Sequence, residues 1–199
     1  ASCIIWIHDP SHKSNALWIA SDTMNKPARP LQIRPFYPAF FTSIVAAWKA
    51  RDTKWIFSLS GTEKKKFEKL FFKEYPDLPE ALKKPVSENK QIVFSASFNN
   101  FGALEIVAKE SLTNEQFDIL HRFGKAFDGS YTRFNDLQKA EAQAREAQIE
   151  LGLERVRAAA MAMHKLSDLS AIGKTIFSEL KMLGFAGIRN TEIVINNDE

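Results

Sequence analysis

Cysteine is almost absent from this chain. The single Cys3 excludes an internal disulfide and suits a reducing, cytoplasmic setting. No apolar run approaches the roughly 18 residues that a membrane helix needs, and no signal peptide is visible, so no membrane segment is expected. Neither sign of charge dominates: 27 Lys and Arg face 24 Asp and Glu, a net charge of +3. With no Arg-rich arm beside it, that balance argues against a nucleic-acid partner. A glycine-rich phosphate loop, a nucleophile elbow and a kinase ATP-binding signature are all missing, so catalysis is not expected and no cofactor can be named. His8 and His12 are four residues apart, but Pro10 forbids the helix that would align them as a metal pair, and no metal site is assigned.

What the chain has in abundance is aromatic bulk, with 16 Phe and 4 Trp. Cys3–Ile7 and 16–20 read as two antiparallel strands around a polar turn. Pro27, Pro30, Pro35 and Pro38 punctuate an irregular section. A helix follows from Phe40 to Arg51, with Phe41, Ile44, Val45 and Trp48 on one stripe. Lys54–Leu59 is a strand, and Thr62 to Tyr75 a helix with Phe67, Leu70 and Phe71 inward. Its lysines 64, 65, 66, 69 and 73 form a mostly solvated face rather than a dock for an acidic partner or a membrane surface. Pro76, Pro79 and Pro85 break what comes next. Strands 91–98 and 103–108 then make a hairpin through Asn99-Asn-Phe-Gly102. Thr113 and Gln116 have the spacing of a capping box that opens a helix through Phe117, Leu120, Phe123 and Phe127.

The stretch from Phe127 to Leu166 reads as one long charged helix, rich in Ala, Glu, Gln and Arg, entered with a kink at Gly124 or Gly129. At 1.5 Å per residue it would extend about 60 Å, too far to bury itself against one small core. Leu137, Ala140, Ala144, Ala147 and Leu151 recur at alternating steps of three and four, as a coiled-coil seam requires. Ile149, Leu153, Val156, Ala160 and Met163 do so in a second phase, with the shift near residues 147–153 and Gly152. A homodimer through this helix is the expected partner arrangement; Leu137, Ala144, Leu151, Val156, Ala160 and Met163 are its candidate contacts. The alternative is a solvated helix with a narrow seam on its own domain. A further helix, with Leu169, Ile172, Ile176, Leu180 and Leu183 on one face, is expected to hide that face against a neighbouring chain or the first domain. Thr191–Ile195 reads as a closing strand.

This order of elements resembles GAF-type sensory domains, above all over Ile92 to Phe134. Residues Tyr131–Glu150, Leu153–Arg157 and Ala160–His164 resemble the signalling-helix linker of bacterial multidomain sensors such as histidine kinases. The resemblance implies an α+β fold, a GAF-like antiparallel sheet flanked by helices. It divides the chain into a sensory domain (1–126) whose leading helix lies upstream, a long signalling helix (127–166), and the first helix and strand of a second GAF-like domain (167–199). Both ends read as cut from something longer. The implied role is a non-catalytic sensor that passes ligand or partner binding through a dimeric helix to a separate output. A structural dimerisation spacer without a ligand is the rival.

Two readings of the chemistry-bearing residues stay open. Trp6, Trp18, Phe40, Trp48, Trp55 and Phe94 can line an apolar pocket for an unidentified small molecule, or simply fill the core. His164 sits where a sensor kinase carries its phosphoacceptor, but Lys165 follows it in place of an acid and no proline comes after, so an ordinary helix-surface histidine is expected. Cys3, inside a strand, is expected to be a buried, inert thiol.

Overall fold

A computed structural model describes residues 2–8, 14–21, 30–78 and 80–194, with the side chains of 21, 80–82 and 85 also undescribed. The chain divides into two compact units, Ala1–Thr132 and Arg133–Glu199.

The first unit is built on one antiparallel sheet. Its strands are β1 (Ser2–His8), β2 (Asn15–Ser21), β3 (Leu31–Ile33), β4 (Trp55–Ser60), β5 (Gln91–Phe98) and β6 (Gly102–Ala108), ordered β3-β2-β1-β6-β5-β4. Alternation decides which side of each strand is buried. Ile4, Trp6 and His8 of β1 are buried while Cys3, Ile5 and Ile7 are only half so, and Ile4 and Trp6 lie opposite Ile19 and Leu17 of β2. Strand β5 is buried on both faces. Phe94, Ala96 and Phe98 belong to the aromatic core. Ser95 and Ser97 turn the other way, where Ser95 Oγ accepts from Leu112 N at 3.4 Å and Ser97 Oγ lies 3.1 Å from His121 Nδ1.

Helices α1 (Pro38–Ala50) and α2 (Gly61–Glu74) cover the core face. Phe40, Phe41, Ile44, Ala47 and Trp48 recur at helical spacing and are all buried, so α1 presents a single apolar stripe. Phe40 meets Phe57 at 5.3 Å, Phe67 at 5.9 Å and Phe94 at 4.9 Å between ring centroids, which ties α1 to α2 and to two strands. α1 stops at Arg51, whose φ of 57° is left-handed, a position more often held by glycine. In α2, Phe67 is buried as expected, but Leu70 is 40% exposed and Lys64 is buried against Glu68 rather than solvated.

Two elements depart from the sequence expectation. Strand β3 is only three residues long and sits among prolines. Helix α3 (Glu80–Glu88) contains Pro85 at its sixth position, where a breaker was expected. Only the first four N–H groups of a helix lack an intrahelical partner, so Pro85 forgoes one bond without ending so short a helix.

The expected 127–166 rod is likewise redrawn, as α4 (Asn114–Met161). Its start is fixed by the capping box, with Thr113 N donating to Gln116 Oε1 at 2.9 Å and Gln116 N to Thr113 Oγ1 at 3.3 Å. Asp118 pairs with Lys54 at 3.3 Å, and Asp128 accepts from Asn100 N and Nδ2 at 3.1 and 2.6 Å. Phe117 and Leu120 are buried in the same stretch. Gly124 and Gly129 do not interrupt the helix, so no break is needed to join the two sequence patterns.

In the second unit α4 ends at Met161. A single 3-10 turn (Leu166–Asp168) leads into α5 (Leu169–Met182). Asp168 Oδ2 accepts from His164 N and Lys165 N, both at 2.9 Å, and so shapes the turn. α5 returns antiparallel beside α4: Arg145 donates to Leu183 O at 2.6 Å and Arg155 to Glu179 Oε2 at 3.0 Å. Within the second unit α5 is thus held beside α4 by polar contacts from Arg145 and Arg155. Residues 191–194 form no strand, and 195–199 lie outside the described residues.

Candidate functional site

A cavity of about 90 Å³ lies inside the first unit. Ser2, Ile4 and Trp6 of β1, Leu17 and Ile19 of β2, and Ile33 of β3 form one part of its wall. Phe40 of α1, Phe67 and Phe71 of α2, Val86 of α3 and the loop residues Phe36 and Leu78 close it, with Phe94 of β5 and Glu105 and Val107 of β6. Alternation explains this set. Ile4, Trp6, Leu17 and Ile19 share one side of β1 and β2, and Glu105 pairs across to Ile4 on one flank and Ala96 on the other.

Glu105 is the group that sets this cavity apart from an ordinary core. It is 0% exposed, and among the described residues neither carboxyl oxygen has a hydrogen-bond partner. Burial pushes its pKa up to about 8, and the Trp6 indole N–H is the one group that opposes the shift. Even so, Trp6 Nε1 closes no hydrogen bond in good geometry. The acid is thus mostly neutral at pH 7 when the cavity is empty, because water cannot solvate the carboxylate and no cation among the described residues replaces it. An unpartnered buried polar group costs about 1–3 kcal/mol, so a fold that keeps two of them facing one cavity calls for an explanation.

The sequence-nominated pocket residues separate. Trp6, Phe40 and Phe94 line the cavity. Trp48 and Trp55 belong to the core beyond it: Trp48 donates to Asn99 O at 3.1 Å and stacks 4.6 Å from His8, and Trp55 donates to Ser43 Oγ at 2.9 Å. Trp18 is 38% exposed and has the opposite parity from the lining Leu17 and Ile19. Phe67, Phe71 and above all Glu105 were not nominated. The available signal was parity: Ala103, Glu105 and Val107 share one side of β6, so the lone acid of that strand must stand among apolar neighbours.

Other nominated groups are elsewhere. His8 is buried and lies 2.6 Å from Asn15 Oδ1 through Nδ1, while His12 is outside the described residues. Among the described residues no cluster of three His, Cys, Asp or Glu is placed to hold a metal, and no helix is long and apolar enough to cross a membrane. Cys3 is half-buried, and burial, with Glu105 adding to it, raises its thiol pKa, the opposite of what an activated nucleophile needs.

Of the dimer candidates, Leu137 and Leu151 are 56% and 57% exposed. Ala144 and Ala160 are exposed too, and Met163 lies past the end of α4. Val156 is half-buried, as are Ile149 and Ala159, and Gly152 between them is buried. A side chain added at Gly152 would come within 3.3 Å of Glu179 Oε2. The phase shift in the heptads therefore falls where α5 begins to shelter one face of α4.

No protein-family model, curated protein or solved structure matches this chain.

Proposed function

We propose that this chain is a non-catalytic sensory and transmission module of a bacterial, cytoplasmic multidomain signalling protein. In this reading a GAF-like head binds a small molecule in the cavity beside Glu105. Occupancy then alters α4, through which two copies pair. The observation that carries it is the buried, unpartnered acid in an otherwise apolar cavity. Pockets for small molecules combine apolar walls with a few placed polar groups, and perturbed acids collect at such sites.

A short mechanical route supports the relay. Glu105 faces the cavity, and its chain neighbour Ile106 faces the groove formed with Leu112, Gln116, Leu120 and Phe123 at the start of α4. Movement of β6 on ligand entry would bear directly on the capped end of that helix. Two nearly equivalent seams, one partly sheltered by α5, give α4 two facings between which a ligand can choose.

Single cysteines placed along 137–163 in a Cys3→Ser background test the relay by crosslinking with and without a compound that stabilises the head in a thermal-shift screen. A changed crosslink pattern is expected. An unchanged pattern removes the relay, and a screen in which nothing stabilises the head favours a structural dimerisation spacer.

A further inference from the structure

We propose that the cavity beside Glu105 binds a small aliphatic ammonium ion, held by the carboxylate through charge-assisted hydrogen bonds and by the faces of Trp6, Phe40 and Phe94. This rests on the reading of the cavity as a ligand site and adds the chemical class of the ligand.

Three features converge on that class. First, once ionised, Glu105 offers two unmet acceptor oxygens against the single unmet donor Trp6 Nε1. Among the described residues both Glu105 oxygens lack partners, and no Lys, Arg, His, Asn or Gln side chain lines the space. Second, the rest of the wall is aromatic and aliphatic, and ring faces attract cations most strongly where water is excluded. Third, about 90 Å³ gives room for about three water-sized groups. One water can meet Glu105 and Trp6 Nε1, but further waters along the apolar remainder of the described wall would lack the two to four polar partners each needs. An ammonium with a short alkyl chain uses both halves of the site: N–H donors toward the carboxylate and methylenes toward the rings.

Protonation must balance. In the empty cavity Glu105 holds a proton at neutral pH. An ammonium from solution can form the ion pair only if that proton leaves, so each ligand bound releases one proton to the buffer. The titratable surroundings are sparse. Cys3, next to Ser2 on β1, interacts with Glu105 from outside the wall. From β2, β3, α1, α2, α3 and β5 no other titratable side chain is among the described lining residues.

The test uses the full chain and primary alkylammonium chlorides from methyl to hexyl, with the matching 1-alkanols as neutral controls, read by titration calorimetry. Saturable binding that peaks at a short chain is expected. Glu105→Gln should weaken it at least tenfold, and affinity should fall about tenfold for each pH unit below 8. Repeating the titration in two buffers of different ionisation enthalpy should show close to one proton released on the unaltered chain, a readout that does not depend on any variant folding. Absence of ammonium binding, equal binding of alkanols, or indifference to Glu105→Gln overturns the proposal. Alkanol binding alone refutes the ligand class and leaves the ligand site standing, whereas failure of both series removes the site as well. Ammonium binding with unchanged crosslinks along 137–163 supports the proposal and refutes only the relay.

Discussion

Glu105 stands directly across the ladder from Ile4 on one side and from Ala96 on the other, so a carboxylic acid shares a buried face with two hydrocarbons. Nothing in the described protein repays that placement. Replacing Glu105 with Met, similar in volume and without an oxygen to solvate, should therefore stabilise the empty protein by about 1–3 kcal/mol. Urea denaturation checks this, and a loss of stability would mean that the acid is satisfied in solution.

The same acid makes stability depend on pH. Its folded pKa, about 8, lies above the ordinary value of 4.5, so the native state binds more protons than the unfolded state between those limits. The contribution is fully present below pH 4.5, shrinks as pH rises, and is gone above pH 8. Between pH 5 and pH 8 the unaltered chain should lose about 3 kcal/mol relative to Glu105→Gln. Parallel denaturation curves at the two pH values measure that difference, and identical curves would show that Glu105 is ionised in the native state.

Glycines of equal standing in the sequence should respond oppositely. A Cβ at Gly102 would lie 2.0 Å from the Trp6 carbonyl oxygen, backbone that cannot step aside. Gly102→Ala should cost more than about 3 kcal/mol and open the β1–β6 pairing. Gly124 and Gly129 lie inside α4 with nothing near the missing Cβ, and alanine at either should add about 1 kcal/mol. Thermal melts of the three variants decide it.

Much of the first unit was legible because its signals are local. The capping box at Thr113 and Gln116, the hairpin at 99–102 and the stripe of α1 each follow from residues a few positions apart. The failures have physical causes. Pro85 reads as a breaker because propensity treats each position alone, yet a two-turn helix braced by its neighbours tolerates one missing bond. Glu105 received no reading, because a lone acid in a strand is ordinarily its solvated residue, but both faces of β6 are covered, one by the α1 and α2 layer and the other by the start of α4. Polarity within a strand marks the solvent side only when there is one. Likewise the two heptad phases of α4 were visible, but not that α5 of the same chain shelters one of them.

In the second unit, Glu179 is 8% exposed and its carboxylate is held by Arg155 at 3.0 and 3.2 Å. Glu179→Leu removes the charge but leaves Arg155 facing hydrocarbon, and α5 should loosen. Amide exchange across 169–182 should quicken about tenfold, the equivalent of roughly 1.4 kcal/mol, while β1, β5 and β6 keep their protection. Equal protection in the variant would assign α5 to apolar packing alone.

The proposed pairing of two α4 helices rests on side chains that the single chain leaves bare. Leu137 and Leu151 are each more than half exposed, in phase with Ala140, Ala144 and Ala147, and Leu151 borders a groove that α4 forms with Glu179 and Met182 of α5. A lone exposed leucine is unremarkable, but leucines two heptads apart on one seam with alanines between them make a surface that water disfavours along its whole length. Charge placed there should act at the seam, because both side chains are more than half exposed. Leu137→Arg with Leu151→Arg should therefore convert a dimer to a monomer in sedimentation equilibrium while the thermal transition of the first unit stays within about 1 kcal/mol of the parent. Val156→Arg gives the contrast, since that position is already half-buried within its own chain and should disturb α5 first. If the unaltered chain sediments as a monomer at every concentration tested, the exposed stripe has no partner in a second copy, and the proposed relay loses the element through which it acts.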